Sequence, residues 1–114
     1  MKDPIIYIEH INDALIKIKA YTKGFNLESF LKSSLVQDAV IRKLEIIGEA
    51  TTNLDNNFRD NYNHIEWKKM AGLRDKLIHD YIGVDLGAVW GLIEKILPGL
   101  QKQIAEILKS EKKL

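Results

Sequence analysis

A guanidinium, an imidazole and a phenol fall within the short segment Arg74, Asp75, Lys76, Leu77, Ile78, His79, Asp80, Tyr81. These are groups that suit phosphate chemistry. Imidazole takes up and gives back a proton near neutral pH. Guanidinium keeps its charge and can hold phosphate oxygens in a planar fork. A phenol donates and accepts hydrogen bonds. The spacing is R-x4-H-x-Y. With three Arg and three His in 114 residues, roughly 0.1 Arg, His pairs are expected by chance at any one spacing, so the pair alone is weak, and the added Tyr81 makes it more than about tenfold rarer.

The elements that must position this segment are helical. Asp3 and Pro4 form an N-cap and first-turn pair. Beyond them Ile8, Ile11, Leu15 and Ile18 recur at three- and four-residue steps, with Tyr7, Ala14 and Tyr21 on the same side, so a first helix runs to about Tyr21. Gly24 is a stop, Asn26 to Lys32 form a short helical turn, and Ser34 with Gln37 makes a capping box for a long second helix. That helix has the apolar stripe Val36, Val40, Ile47, Ala50 and Leu54, with Leu44 beside it. Asp55 to Asn63 is rich in Asn and Asp and reads as a loop. Asn63 with Glu66 is a further capping box, opening a helix that carries Trp67, Met70, Leu73 and Leu77 and ends near Tyr81, before Gly83. Asp85 caps a last helix with the stripe Leu86, Val89, Ile93, Ile96, Leu100, Ile104 and Ile107, and Pro98 predicts a kink in it, not a break. The expected fold is therefore all-α: an up-and-down bundle of four long helices plus a short helical turn, one domain over residues 1–114. Trp67 and Trp90 are expected to anchor its packing.

On an ideal helix Arg74 falls inside the apolar stripe, where a permanent cation needs a carboxylate, a phosphate or a subunit groove. Asp75 and His79 form an i, i+4 pair, so the carboxylate can orient the imidazole. Arg74 and His79 lie about 140° apart around the axis, and one straight helix does not aim both at one atom. Either the helix loosens at its end, or two copies meet across a two-fold axis in a composite cleft with two Arg and two His. The second is favoured. On the preceding long helix Asp38, Arg42, Glu45 and Glu49 form a narrow stripe. It reads as an exposed ion-pair ladder, or as a wall from which Glu45 or Glu49 neutralises Arg74.

Seventeen basic and sixteen acidic side chains leave a net charge of +1, so any RNA binding must use a local patch. Basic residues bunch at Lys68, Lys69, Arg74 and Lys76, and at Lys109, Lys112 and Lys113. Without Cys, and with His10, His64 and His79 far apart, no structural metal and no cofactor is expected. There is no membrane-spanning run and no leader architecture, so the expected location is cytoplasmic, with no membrane partner.

The R-x4-H-x-Y string resembles the signature of the HEPN superfamily, in particular the HepT-like toxins. A second block is similar to that family's second-helix segment, the run from Asp38 through Arg42, Glu45 and Glu49 to Ala50. Trp67, the stretch Ala71 to Arg74, His79, Tyr81, the stretch Gly83 to Asp85, and Trp90 look like its motif region. The resemblance implies a homodimeric, metal-independent RNase toxin whose clefts use Arg74 and His79 on an RNA substrate. It also implies a minimal nucleotidyltransferase as antitoxin, with Tyr81 matching the tyrosine that such a partner modifies with AMP. Asp75 stands where Asn is commoner in the family. The competing reading is a non-catalytic HEPN accessory or substrate-binding subunit of a nucleotidyltransferase.

Overall fold

The computed structural model describes residues 3–79 and 85–112, and the side chains of all of these except 74–79. Every regular element among them is helical: α1 Pro4–Thr22, α2 Leu27–Leu31, α3 Ser34–Thr52, α4 Asn56–Asn61, α5 Trp67–His79, α6 Leu86–Lys95 and α7 Leu97–Glu111. The all-α expectation holds, with two short helices where one short turn was expected.

The apolar periodicity of α1 becomes its buried face. Ile8, Ile11, Ala14, Leu15 and Ile18 are each at most 2% exposed, whereas Tyr21, expected on that side, points outward. Thr22 takes the inward position, and its hydroxyl donates to the Ile18 carbonyl at 2.8 Å, so the buried oxygen has a partner. Asp3 caps the helix by accepting from the Ile5 amide, with Pro4 in the first turn. The chain then reverses at Gly24, whose φ of 80° is the left-handed conformation expected of a stop there.

The expected short turn forms as α2, and Asn26 and Ser29 cap each other reciprocally at its start. It persists because Phe30 is completely buried and packs against Trp90 of α6, with ring centroids 5.3 Å apart. The predicted box at Ser34 is corrected by one residue. Ser33 is the cap and accepts from the Val36 amide, while the Gln37 side chain donates to the Phe30 carbonyl at 2.9 Å and so closes the end of α2.

Asp55 to Asn63 is not the loop that its composition suggests. Asp55 accepts from the Phe58 amide at 2.9 Å, which starts α4, and Phe58 is buried against Tyr62 and Trp67. One large apolar side chain outweighs the local preference of the surrounding Asn and Asp for turns. The proposed Asn63–Glu66 box fails for a related reason: Asn63 lies in the turn after α4, and α5 begins only at Trp67. The Trp67 indole N–H donates to the Arg59 and Tyr62 carbonyls at 3.2 and 3.0 Å, a second donor to each beside the Tyr62 and Ile65 amides, and so fastens the start of α5 to the end of α4.

The last apolar stripe divides at Ile96, the residue between α6 and α7, so the expected kink is a break in the helical ladder. Pro98 has no N–H for the Glu94 carbonyl, which accounts for the interruption. The change of direction turns Ile96 outward, to 57% exposure, and puts Leu97 into the core at 5%. Asp85 caps α6 as expected, accepting from the Ala88 amide at 3.0 Å. Asp85→Ala should cost about 1 kcal/mol and lower the melting temperature by roughly 4–8 °C, readable by thermal circular dichroism.

α1 packs on α3 and α7, α3 on α5, and α2 on α3 and α6. Trp67 and Trp90, 5% and 9% exposed, lie in the common core as expected. At one end of the bundle Tyr62 lies beside Glu111 and Ser110 of α7. Burial, and next the neighbouring Glu111, raise its phenol above the ordinary 10.0. Since the unfolded phenol ionises first, this contribution is fully present below pH 10 and is lost as pH rises through the folded value. Stability should therefore fall from about pH 10 upward, and Tyr62→Phe should flatten that slope in alkaline melts. No helix among the described residues is long and apolar enough to cross a membrane.

Candidate active site

The placement of α5 follows from two hydrogen bonds in series. Arg59 Nη2 donates to the Thr51 carbonyl near the end of α3 at 2.6 Å, and Trp67 Nε1 donates to the Arg59 carbonyl. The start of α5 is thereby tied beside the end of α3, and because the two helices pack along each other they run antiparallel. Stepping 1.5 Å per residue from that tie puts Arg74 roughly level with Glu45, and His79 roughly level with the first half of α3.

Within α5, Arg74 stands one turn after Met70, and His79 is the final residue. Their positions are about 7.5 Å apart along the axis. Both motif residues therefore lie in the second half of α5. The side chains of Arg74, Asp75 and His79 lie outside the described residues, as do Tyr81 and the expected stop at Gly83, so the supposed Asp75–His79 contact and the helix end have no described geometry.

The partners proposed on α3 are placed. Glu45 is half-buried, whereas Arg42 and Glu49 are exposed. Among the described residues no ion pair joins Arg42, Glu45 and Glu49 to one another. The helical ion pairs there are Lys17–Asp13, Lys32–Glu28 and Lys69–Glu66. All three are solvent-exposed and contribute little to stability.

Beside the first half of α5 lies a half-open groove of about 520 Å³, walled by α5 on one side and by the α6–α7 junction on the other. Met70, Leu73, Leu97 and Leu100 make its apolar surface, and His64, Lys69, Lys95 and Gln103 make most of its polar rim. Sequence periodicity missed this feature because it is a gap between helices. The local signal was Pro98, which splits the last helix at the groove wall.

Residues 11–107 match the family model described as ribonuclease HepT-like. The chain belongs to the HepT-like ribonuclease family. Its HepT-like match starts within α1, well before Asp38, and takes in the whole of α5. The chain is 45% identical over 112 residues to a "Putative RNase" of Caldanaerobacter subterraneus, covering 98% of this chain and 100% of that one. It is 41% identical over 103 residues to a "Probable ribonuclease HepT" of Thermococcus cleftensis, covering 90% and 94%. It is also 47% identical over 108 residues to a "Gamma-glutamylcyclotransferase and putative RNase" of Methanocaldococcus jannaschii. That alignment covers 95% of the HepT-like chain but spans only about half, 49%, of the relative. No solved structure matches.

Proposed function

We propose that this HepT-like chain is a metal-independent endoribonuclease toxin, active as a homodimer and neutralised by a minimal nucleotidyltransferase that adenylylates Tyr81. The observation that carries the reading is the family match across a helix whose last two turns hold Arg74 and His79. Family membership makes RNA the substrate class to consider, and the residue types supply a route that needs no metal.

In that route His79 takes the proton from a ribose 2′-hydroxyl, and the freed oxygen attacks the adjacent phosphorus. Arg74 stabilises the negative charge that builds on the phosphoryl oxygens. The 5′-oxygen leaves with a proton from a protonated imidazole, leaving a 2′,3′-cyclic phosphate and a 5′-hydroxyl. The spacing of Arg74 and His79 on one helix gives the second copy its role, since a two-fold axis beside the end of α5 supplies the second imidazole and a second guanidinium. Asp75 orients its ring, and Glu45 on α3 counters the charge of Arg74.

Control by the partner follows from the chemistry of Tyr81. The phenol oxygen attacks the α-phosphorus of ATP and pyrophosphate leaves, so the tyrosine gains a bulky group with a negative phosphate next to the place where RNA binds. The reading is tested in cells. Expression of the wild type should arrest growth, and Arg74→Met should relieve the arrest. A co-expressed cognate nucleotidyltransferase should rescue the wild type but not Tyr81→Phe, and should add the mass of one adenylyl group, AMP less a water, to the wild type alone. Equal arrest by wild type and Arg74→Met would remove the proposed role of the arginine.

A further inference from the structure

We infer that the groove between α5 and the α6–α7 junction seats an unstacked nucleobase of single-stranded RNA, next to the phosphate that is cut. The inference rests on the ribonuclease reading and names the form of RNA that reading leaves open. The groove's volume of about 520 Å³ lies in the range of small-molecule sites, roughly 300–1,000 Å³, and has room for a base with its ribose. Its surface is apolar where a base would lie: Met70 and Leu97 are each 5% exposed, and Leu73 and Leu100 are half-buried. Bases taken out of a stack are held against such side chains.

The rim carries the complementary charge. Its one carboxylate, Glu66, is occupied by Lys69 at 2.9 Å, while Lys95 and His64 have no acidic partner among the described residues. The surplus is positive and suits a phosphodiester. Gln103 is half-buried in the lining and, among the described residues, its side-chain amide makes no hydrogen bond. It offers one donor group and one acceptor, which is what reading the edge of a base requires.

Position links the groove to the motif. Met70 precedes Arg74 by four residues, about 6 Å along α5, a distance comparable with the spacing of neighbouring phosphates in an extended strand. A base resting on Met70 therefore leaves its own backbone within reach of the next turn of the helix. Such a site selects loops and unpaired segments over duplex RNA, whose bases are stacked and out of reach.

Gly99 provides the test, because it is exposed on the groove wall and a Cβ added there meets nothing within 4 Å. Gly99→Trp should fill the groove without disturbing the fold, and Ile16→Trp places the same bulk on the exposed face of α1 as a control. Fluorescence anisotropy with a short single-stranded oligoribonucleotide should show binding weakened at least about tenfold by Gly99→Trp, with the control unchanged. In cleavage assays KM should rise by a similar factor while kcat stays within about threefold. Gln103→Leu should change which base is preferred beside the cut. Unchanged affinity and base preference in Gly99→Trp, with normal wild-type cleavage, would overturn the inference and leave the ribonuclease reading standing. Groove-dependent binding without wild-type cleavage would do the reverse. A change in oligomeric mass on light scattering, with RNA binding unaffected, would make the groove a protein seat and overturn it too.

Discussion

His79→Ala should lower the single-turnover rate of RNA cleavage by about 10²- to 10⁴-fold, the usual contribution of a positioned general acid or base. The substitution should leave α5 intact, because alanine is the best helix former and His79 is the helix's last residue. Substrate affinity should change little, since in the proposed route the imidazole acts mainly in the transition state. Arg74→Ala should differ in kind, raising KM as well as lowering kcat, because in the proposed route the guanidinium attracts the phosphate before it stabilises the attacked one. If two imidazoles share the work across a two-fold axis, the wild-type pH profile should be bell-shaped, one limb requiring a neutral ring and the other a protonated one. A profile with a single limb would argue for one histidine per cleft.

Trp67→Ala should be the most damaging substitution outside the motif, costing about 3–5 kcal/mol. The indole is 5% exposed and packs edge-on to Phe58, with ring centroids 6.4 Å apart. Its N–H also serves the Arg59 and Tyr62 carbonyls, which the truncation leaves without that donor. Such a loss is a large part of the roughly 5–15 kcal/mol that holds a domain of this size together. Because Trp67 ties α5 to α4, and through Arg59 to α3, activity should fall along with stability. Trp67→Phe keeps most of the ring and should lie between the wild type and the alanine variant. Thermal and urea melts check the order, and a melting temperature for Trp67→Ala within about 4 °C of the wild type would show that α5 is held by other contacts.

The parts of this fold legible in the sequence are those governed by periodicity and by capping residues. Ile8, Ile11, Leu15 and Ile18 recur at a helical step and lie together in the core, and Asp85 begins α6 because a carboxylate before an apolar run is a strong local signal. The misreadings arose where a tertiary contact outweighs a local one. Ser33 takes the cap because Gln37 is drawn to the end of α2. Asn- and Asp-rich α4 forms because Phe58 has a buried place to go, and Ile96 turns outward because Pro98 interrupts the ladder. At the site, the types and spacing of Arg74 and His79 were legible, as was the helix that carries them. The groove was not, since its existence depends on how far the α6–α7 junction stands from α5. No residue spacing within one helix encodes that distance.

The central claim is that this chain cuts RNA with its own imidazole and guanidinium, and end-group analysis of RNA incubated with purified protein in excess chelator tests it most directly. The wild type should cleave, with products ending in 2′,3′-cyclic phosphate and 5′-hydroxyl, and His79→Ala should give no such products. Equal cleavage by the two proteins, or cleavage that appears only when a divalent cation is restored, would contradict it.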